Sequence, residues 1–169
     1  MRMRFVHALP ILLLASTLLI ADEHSVNFDA STDFSKLKTF AFRQTKCDST
    51  LPELNNSLYL KNFRGLISAS LTAKGLKEEA ADHADILVDF RFDGLESSSP
   101  GKAGARIGEG RPGEVYVQGT LNIELFTRER NLLVWEGIYR DREENASRLA
   151  RNYPADAKEL LSQYPPRKK

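Results

Sequence analysis

Val115-Tyr116-Val117-Gln118-Gly119-Thr120-Leu121-Asn122-Ile123-Glu124-Leu125 decides the fold. Val115, Val117, Leu121, Ile123 and Leu125 fall on one side of a period-two pattern, and Tyr116, Gln118, Thr120, Asn122 and Glu124 on the other. That alternation is the signature of a half-buried strand. Thr127–Asn131 is polar, and Leu132-Leu133-Val134-Trp135-Glu136-Gly137-Ile138-Tyr139 resumes a β-favouring composition. Two such runs joined by about five polar residues predict a hairpin, and a hairpin implies an antiparallel sheet.

Working outward, Ile86, Val88, Phe90 and Phe92 alternate with Leu87, Asp89, Arg91 and Asp93 and predict a strand before the hairpin. Residues 94–114 between them are rich in glycine, serine and proline and read as one long loop. Upstream, Leu54, Leu58, Phe63, Leu66, Ile67 and Leu71 recur at helical steps and predict an amphipathic helix. It is stopped by Gly75 in a left-handed conformation, with Leu76 folding back. Ser25–Asp29 and Lys38–Arg43 alternate as short strands, with a turn over 32–37 between them. Residues 44–53 read as loop, and 141–152 are polar with no pattern that assigns them to an element. Pro154 fits the first turn of a last helix, whose stripe is Ala157, Leu160, Leu161 and Tyr164 and whose stop is Pro165-Pro166. The expected architecture is α+β: a single two-layer domain, a mostly antiparallel sheet of about five strands, and helices packed on one face.

The chain has 169 residues, 41% of them hydrophobic and 28% charged, with a formal net charge of +1. This is the composition of a globular domain. Near-neutrality gives no global pull toward nucleic acid, so no nucleic-acid partner is expected. Arg2 and Arg4 precede an apolar run that ends at Ile20-Ala21. A charged start and a short apolar stretch is the secretory signal pattern, shorter than the roughly 20 residues that span a bilayer. The expected organisation is a signal peptide over 1–21, cut after Ala21, and one domain over 22–169 in the periplasm or outside the cell. Retention of that segment is the alternative, and would anchor the chain to the inner membrane. The single cysteine, Cys47, excludes an internal disulfide and does not follow the apolar run, where a lipidated residue would stand.

Val26-Asn27-Phe28-Asp29 followed by Asp33–Phe42, then Leu71–Leu76 with Ala84–Val88, then Leu121–Leu125 with Leu132–Gly137, and finally Leu160–Pro166, together resemble the bacterial envelope family labelled domain of unknown function 4136. The resemblance implies export across the inner membrane, often with a lipid anchor, and carries no catalytic residues. The lipobox cysteine of its lipoprotein members is missing here. Phe34, Phe40 and Phe42 are expected between sheet and helix, Trp135 in the core with its N–H seeking a partner, and Gly137 at a close approach or bulge.

Chemical motifs are sparse. Gly108-Glu109-Gly110-Arg111-Pro112-Gly113 has dinucleotide spacing but is preceded by a loop and followed by a strand, the wrong context for a cofactor. Gly101-Lys102 lacks the P-loop spacing and the Ser or Thr after the lysine. Asp82, His83 and Asp85 are close in sequence but too few for a zinc site by themselves. No G-x-S-x-G elbow is present. No catalytic residue, metal site or cofactor is therefore assigned. Lys102, Arg106 and Arg111 in the loop, together with Trp135, are the candidate contacts for a ligand or partner. The expected function is a non-enzymatic envelope module that binds an envelope protein or small ligand through its sheet face or the 94–114 loop. The alternatives are a carrier holding a lipid or other apolar molecule between sheet and helices, and a hydrolase of envelope polymers. Membrane association is expected only if the N-terminal segment is kept.

Overall fold

Three long strands form the middle of the sheet: β4 (Ile86–Ser98), β5 (Val115–Thr127) and β6 (Leu133–Glu143). They pair antiparallel, with Phe90 opposite Ile123 and Ile123 opposite Gly137. The computed structural model describes residues 23–43, 49–98 and 115–166 of the chain. β1 (Glu23–Phe28) lies antiparallel on the free side of β6. β2 (Thr39–Phe42) runs parallel to β4 and to the two-residue β3 (Lys77–Glu78), giving the order β1-β6-β5-β4-β2-β3.

The α+β, two-layer reading holds, with two differences. The sheet has six strands, because β3 is too short to show periodicity, and it is mixed. Its parallel pairs arise because the chain leaves β2 through helix α1 (Ser57–Thr72) before returning to the sheet, and such a crossover returns the next strand in the same direction. β4 also continues to Ser98, so the first five residues of the expected 94–114 loop are strand. The rest of that loop lies outside the described residues.

Helix α1 is opened by Asn56, whose side chain accepts from the N–H of Leu58 and Tyr59. Phe63, Ile67 and Leu71 point into the core one turn apart, and Tyr59 and Leu60 pack against it. Leu58, expected on this face, is 64% exposed, because it is five rather than four residues before Phe63. The helix closes with Gly75 at φ +91, the Leu76 N–H on the Leu71 carbonyl and the Gly75 N–H on Thr72. These bonds form the expected glycine stop, with Leu76 buried behind it.

Helix α2 (Ala146–Ser162) begins eight residues before Pro154, the expected first turn. Asn145 caps it, accepting from the Arg148 N–H at 2.9 Å. Pro154 therefore sits in the helix interior, where it has no N–H for the Ala150 carbonyl. The Tyr59 hydroxyl donates to that carbonyl at 2.9 Å, so α1 supplies the bond the proline removes.

Both helices cover one face. From the sheet it receives Phe40 and Phe42, then Ile86, Val88, Phe90 and Phe92, then Leu121, Ile123 and Leu125, all buried. Phe34 is half-buried and meets Phe28 and Tyr164 edge-on. Gly119 and Gly137 lie where α2 presses hardest. A Cβ on Gly119 would stand 2.1 Å from the Tyr153 hydroxyl, and one on Gly137 2.7 Å from the Trp135 ring. Gly137 thus serves close approach, while the sheet's irregularity falls at Leu125/Phe126.

Candidate functional site

Among the described residues, no helix covers the opposite face of the sheet. Alternation delivers its side chains: Leu87, Asp89, Arg91 and Asp93 from β4, Gln118, Thr120, Asn122 and Glu124 from β5, Glu136, Ile138, Arg140 and Arg142 from β6, and Ser25 and Asn27 from β1. The register then aligns them in rows. Asp89 lies opposite Glu124, Glu124 opposite Glu136, and Glu136 opposite Asn27. Three carboxylates thus stand side by side across three adjacent strands.

Like charges directly opposite one another destabilise a sheet. The surroundings offset this only in part. The Arg91 guanidinium bonds Glu124 Oε1 at 3.0 Å, and Asn27 Nδ2 donates to Glu136 Oε2 at 3.4 Å. Arg43 lies over the Phe126 ring at 4.0 Å and bonds the Asn131 side chain. Among the described residues, Asp89 Oδ1 is buried without a hydrogen-bond partner. The Glu124 side chain is only 12% exposed. Its burial pushes its carboxyl above the ordinary range, and Asp89 and Glu136 push it the same way against Arg91 and Arg43. The far end of the face is mixed in charge: Arg140 is 3.8 Å from Glu23 and shares its row with Asp93, and Arg142 stacks 3.5 Å above the Tyr116 ring. The carboxylate row is therefore the part of this surface with one sign of charge, and it can complement a cationic partner.

The residues singled out by sequence fare differently. Trp135 is fully buried on the helix-covered face, edge-on to Tyr164 at 6.0 Å, so it is a core residue and offers no contact surface. Its Nε1 has no hydrogen-bond partner among the described residues. Lys102, Arg106 and Arg111 lie outside the described residues. Asp82 and His83 are exposed neighbours 3.4 Å apart. Asp85 turns away from them and accepts from the backbone N–H of Lys38 at 2.8 Å and Thr39 at 2.9 Å, pinning the start of β2 to β4. Among the described residues, no group of three His, Cys, Asp or Glu could hold a metal ion. The layer between sheet and helices, where an apolar cargo would lie, is filled by Trp135, Tyr153, Tyr164, Phe40, Phe90 and Phe92, each less than 2% exposed or nearly so.

Sequence reasoning missed the carboxylate row. Each member is an ordinary outward-facing strand residue, and only the pairing register reveals that they face one another.

A family model described as "Domain of unknown function (DUF4136)" matches residues 24–166. Among solved structures, the chain is similar to a PDZ domain protein from Parabacteroides distasonis, with a TM-score of 0.63 and 19% identity over 86% of this chain. It spans 36% of that longer protein. It is also similar to a DUF4136 family protein from Bacteroides thetaiotaomicron, with a TM-score of 0.51 and 12% identity over 84% of this chain and 92% of the other. At these identities the likeness is one of fold. No curated protein matches the sequence.

Proposed function

This chain belongs to the DUF4136 family, and from that premise we propose that it is a non-enzymatic binding module of the bacterial cell envelope, holding a partner protein on the open face of its sheet. The observation that carries the reading is the row Asp89, Glu124 and Glu136. A surface with no role beyond solubility has no reason to keep three carboxylates in register at a cost to stability. A cationic segment laid across the row would neutralise it. The preferred partner is therefore an envelope protein presenting lysine or arginine. Export is part of the proposal: cleavage after Ala21 would leave Asp22 one residue before β1. Among the described residues, no helix is long and apolar enough to cross a membrane.

The test is a triple variant, Asp89→Asn, Glu124→Gln and Glu136→Gln, whose fold is checked by circular dichroism. Wild-type protein is expected to retain a specific envelope partner that the variant binds at least ~10-fold more weakly, the equivalent of about 1.4 kcal/mol. Equal retention by both proteins, or no partner for either, would refute the reading.

A further inference from the structure

The two edges of the sheet are unlike. β3 is two residues long, whereas β1 has six and, among the described residues, pairs only with β6. β1 carries no proline, no lysine and no bulge, the usual means of keeping a sheet edge from pairing.

One bond fixes which backbone groups face outward. The Asp29 N–H donates to the Val134 carbonyl at 3.0 Å, so Asp29 faces β6. Antiparallel strands alternate, so Asn27 and Ser25 also face β6, and His24, Val26 and Phe28 hold their N–H and C=O groups outward. The same three residues direct their side chains to the helix side, since they lie opposite Tyr139, Gly137 and Trp135. Beside them runs a groove of about 380 Å³ lined by Val26, Phe28, Ser162, Gln163, Pro165 and Pro166. Phe28 is left 45% exposed.

We propose that this edge receives β1 of a second copy of the chain, antiparallel, with a two-fold axis at Val26, so that the two sheets become one. The occupant follows from self-complementarity. A two-fold axis at Val26, the middle of the three outward residues, pairs outward groups only with outward groups. Val26 then faces Val26 of the second copy and His24 faces Phe28, each pair exchanging both of its hydrogen bonds. The side-chain phase agrees as well. Helix-side residues meet helix-side residues, an apolar pair sits at the centre, and an imidazole lies against each phenyl ring. On the other face Ser25 meets Asn27. The Glu23 and Asp29 positions also meet, at the two ends of the pair, where Arg140, 3.8 Å from Glu23, offsets the like charges. Val26 and His24 of the second copy would roof the groove beside Val26 and Phe28. This interface leaves the open face of the sheet free, so it stands or falls independently of the partner reading.

The first measurement is the mass of the full-length chain, expressed and purified in the form its host leaves it, by light scattering across a range of concentration. A dimer is expected. In a Cys47→Ser background, Val26→Cys is expected to form a disulfide-linked dimer under mild oxidation. Facing hydrogen-bonded residues have Cα atoms about 5.5 Å apart, inside the roughly 4.4–6.8 Å that a disulfide spans. Ser25→Cys, which would face Asn27 rather than itself, is expected not to cross-link. Val26→Pro removes only an outward N–H, a site where edge strands tolerate proline, and is expected to yield a monomer. Val26→Lys sets two like charges across the axis with the same outcome. A wild-type monomer throughout would overturn the proposal. So would a dimer that survives both substitutions, or one in which Ser25→Cys cross-links and Val26→Cys does not. If the proline variant fails to fold, the cysteine pair decides.

Discussion

Glu124 is where the tension in the open face is concentrated. Its carboxyl titrates above its ordinary value because burial and two neighbouring carboxylates disfavour the charged form more than Arg91 and Arg43 favour it. A raised carboxyl contributes stability that is fully present below the unfolded value, about 4.3, and lost as pH rises through the folded value. Glu124→Gln removes that loss. The variant is expected to match wild type near pH 4 and to exceed it at pH 7 by ~0.5 kcal/mol, the scale of a cross-strand pair. Urea denaturation at the two pH values measures the difference; a variant less stable than wild type at pH 7 would show that the Arg91 bond outweighs the repulsion. On the other face, Gly119 leaves no room for a side chain. Its Cβ would meet both the Tyr153 hydroxyl and Leu149 Cδ2, at 2.1 and 2.4 Å, and both residues are fully buried. Gly119→Ala is expected to cost about 2–3 kcal/mol in the same experiment. A near-neutral result would mean that α2 can lift from the sheet without penalty.

Between elements, the bond from Tyr59 to the Ala150 carbonyl joins α1 to α2 at the point where Pro154 breaks the helical ladder. Tyr59→Phe is expected to cost about 1 kcal/mol. Pro154→Ala restores an N–H to the same carbonyl, so in that background Tyr59→Phe should cost clearly less. A double-mutant cycle measures the coupling, and strict additivity would contradict the account. Asp85 is a second junction, and its pH dependence has the opposite sign to that of Glu124. Burial works to raise its carboxyl, but the bonds from Lys38 and Thr39 and the charge of Arg128 outweigh it and hold it below the ordinary range. Its contribution is present above the unfolded value, about 3.9, and lost as pH falls through the lower folded value. Asp85→Ala is expected to cost ~1 kcal/mol at pH 7, a charged hydrogen-bond contribution reduced by solvent exposure, and less near pH 3. Equal costs at both would exclude the charge as its source.

These junctions also mark what the sequence could convey. The β5–β6 hairpin is legible because β5 alternates and a β-favouring run follows it across a short polar turn, and the Gly75-Leu76 stop because it is local chemistry. The expected start of α2 falls eight residues too late because Pro154 has the sequence signature of a helix start. Only a tyrosine 95 positions upstream in sequence lets it sit mid-helix. Leu58 reads as core by its four-residue step from Leu54, but the five-residue step to Phe63 turns it off the buried stripe. β3 had no pattern to read, since its two residues exist as a strand only against β2.

At the scale of the whole molecule, one layer of helices leaves one sheet face and one long edge without a neighbour among the described residues. The site was less legible than the fold. Asp89, Glu124 and Glu136 are separated by 35 and 12 positions in sequence and become a row only through the antiparallel register. Trp135, a candidate contact by its size, lies in the core. The central claim is that the open face takes a partner, and in-cell photocross-linking tests it most directly. A photoreactive side chain is placed at Gln118 or Asp93, exposed on that face, and at Lys158, exposed on α2. The account predicts a discrete cross-linked envelope protein from Gln118 and Asp93, none from Lys158, and loss of the adduct when Glu124 and Glu136 are changed to glutamine. Adducts from Lys158 alone, or from none of the three positions, would contradict it.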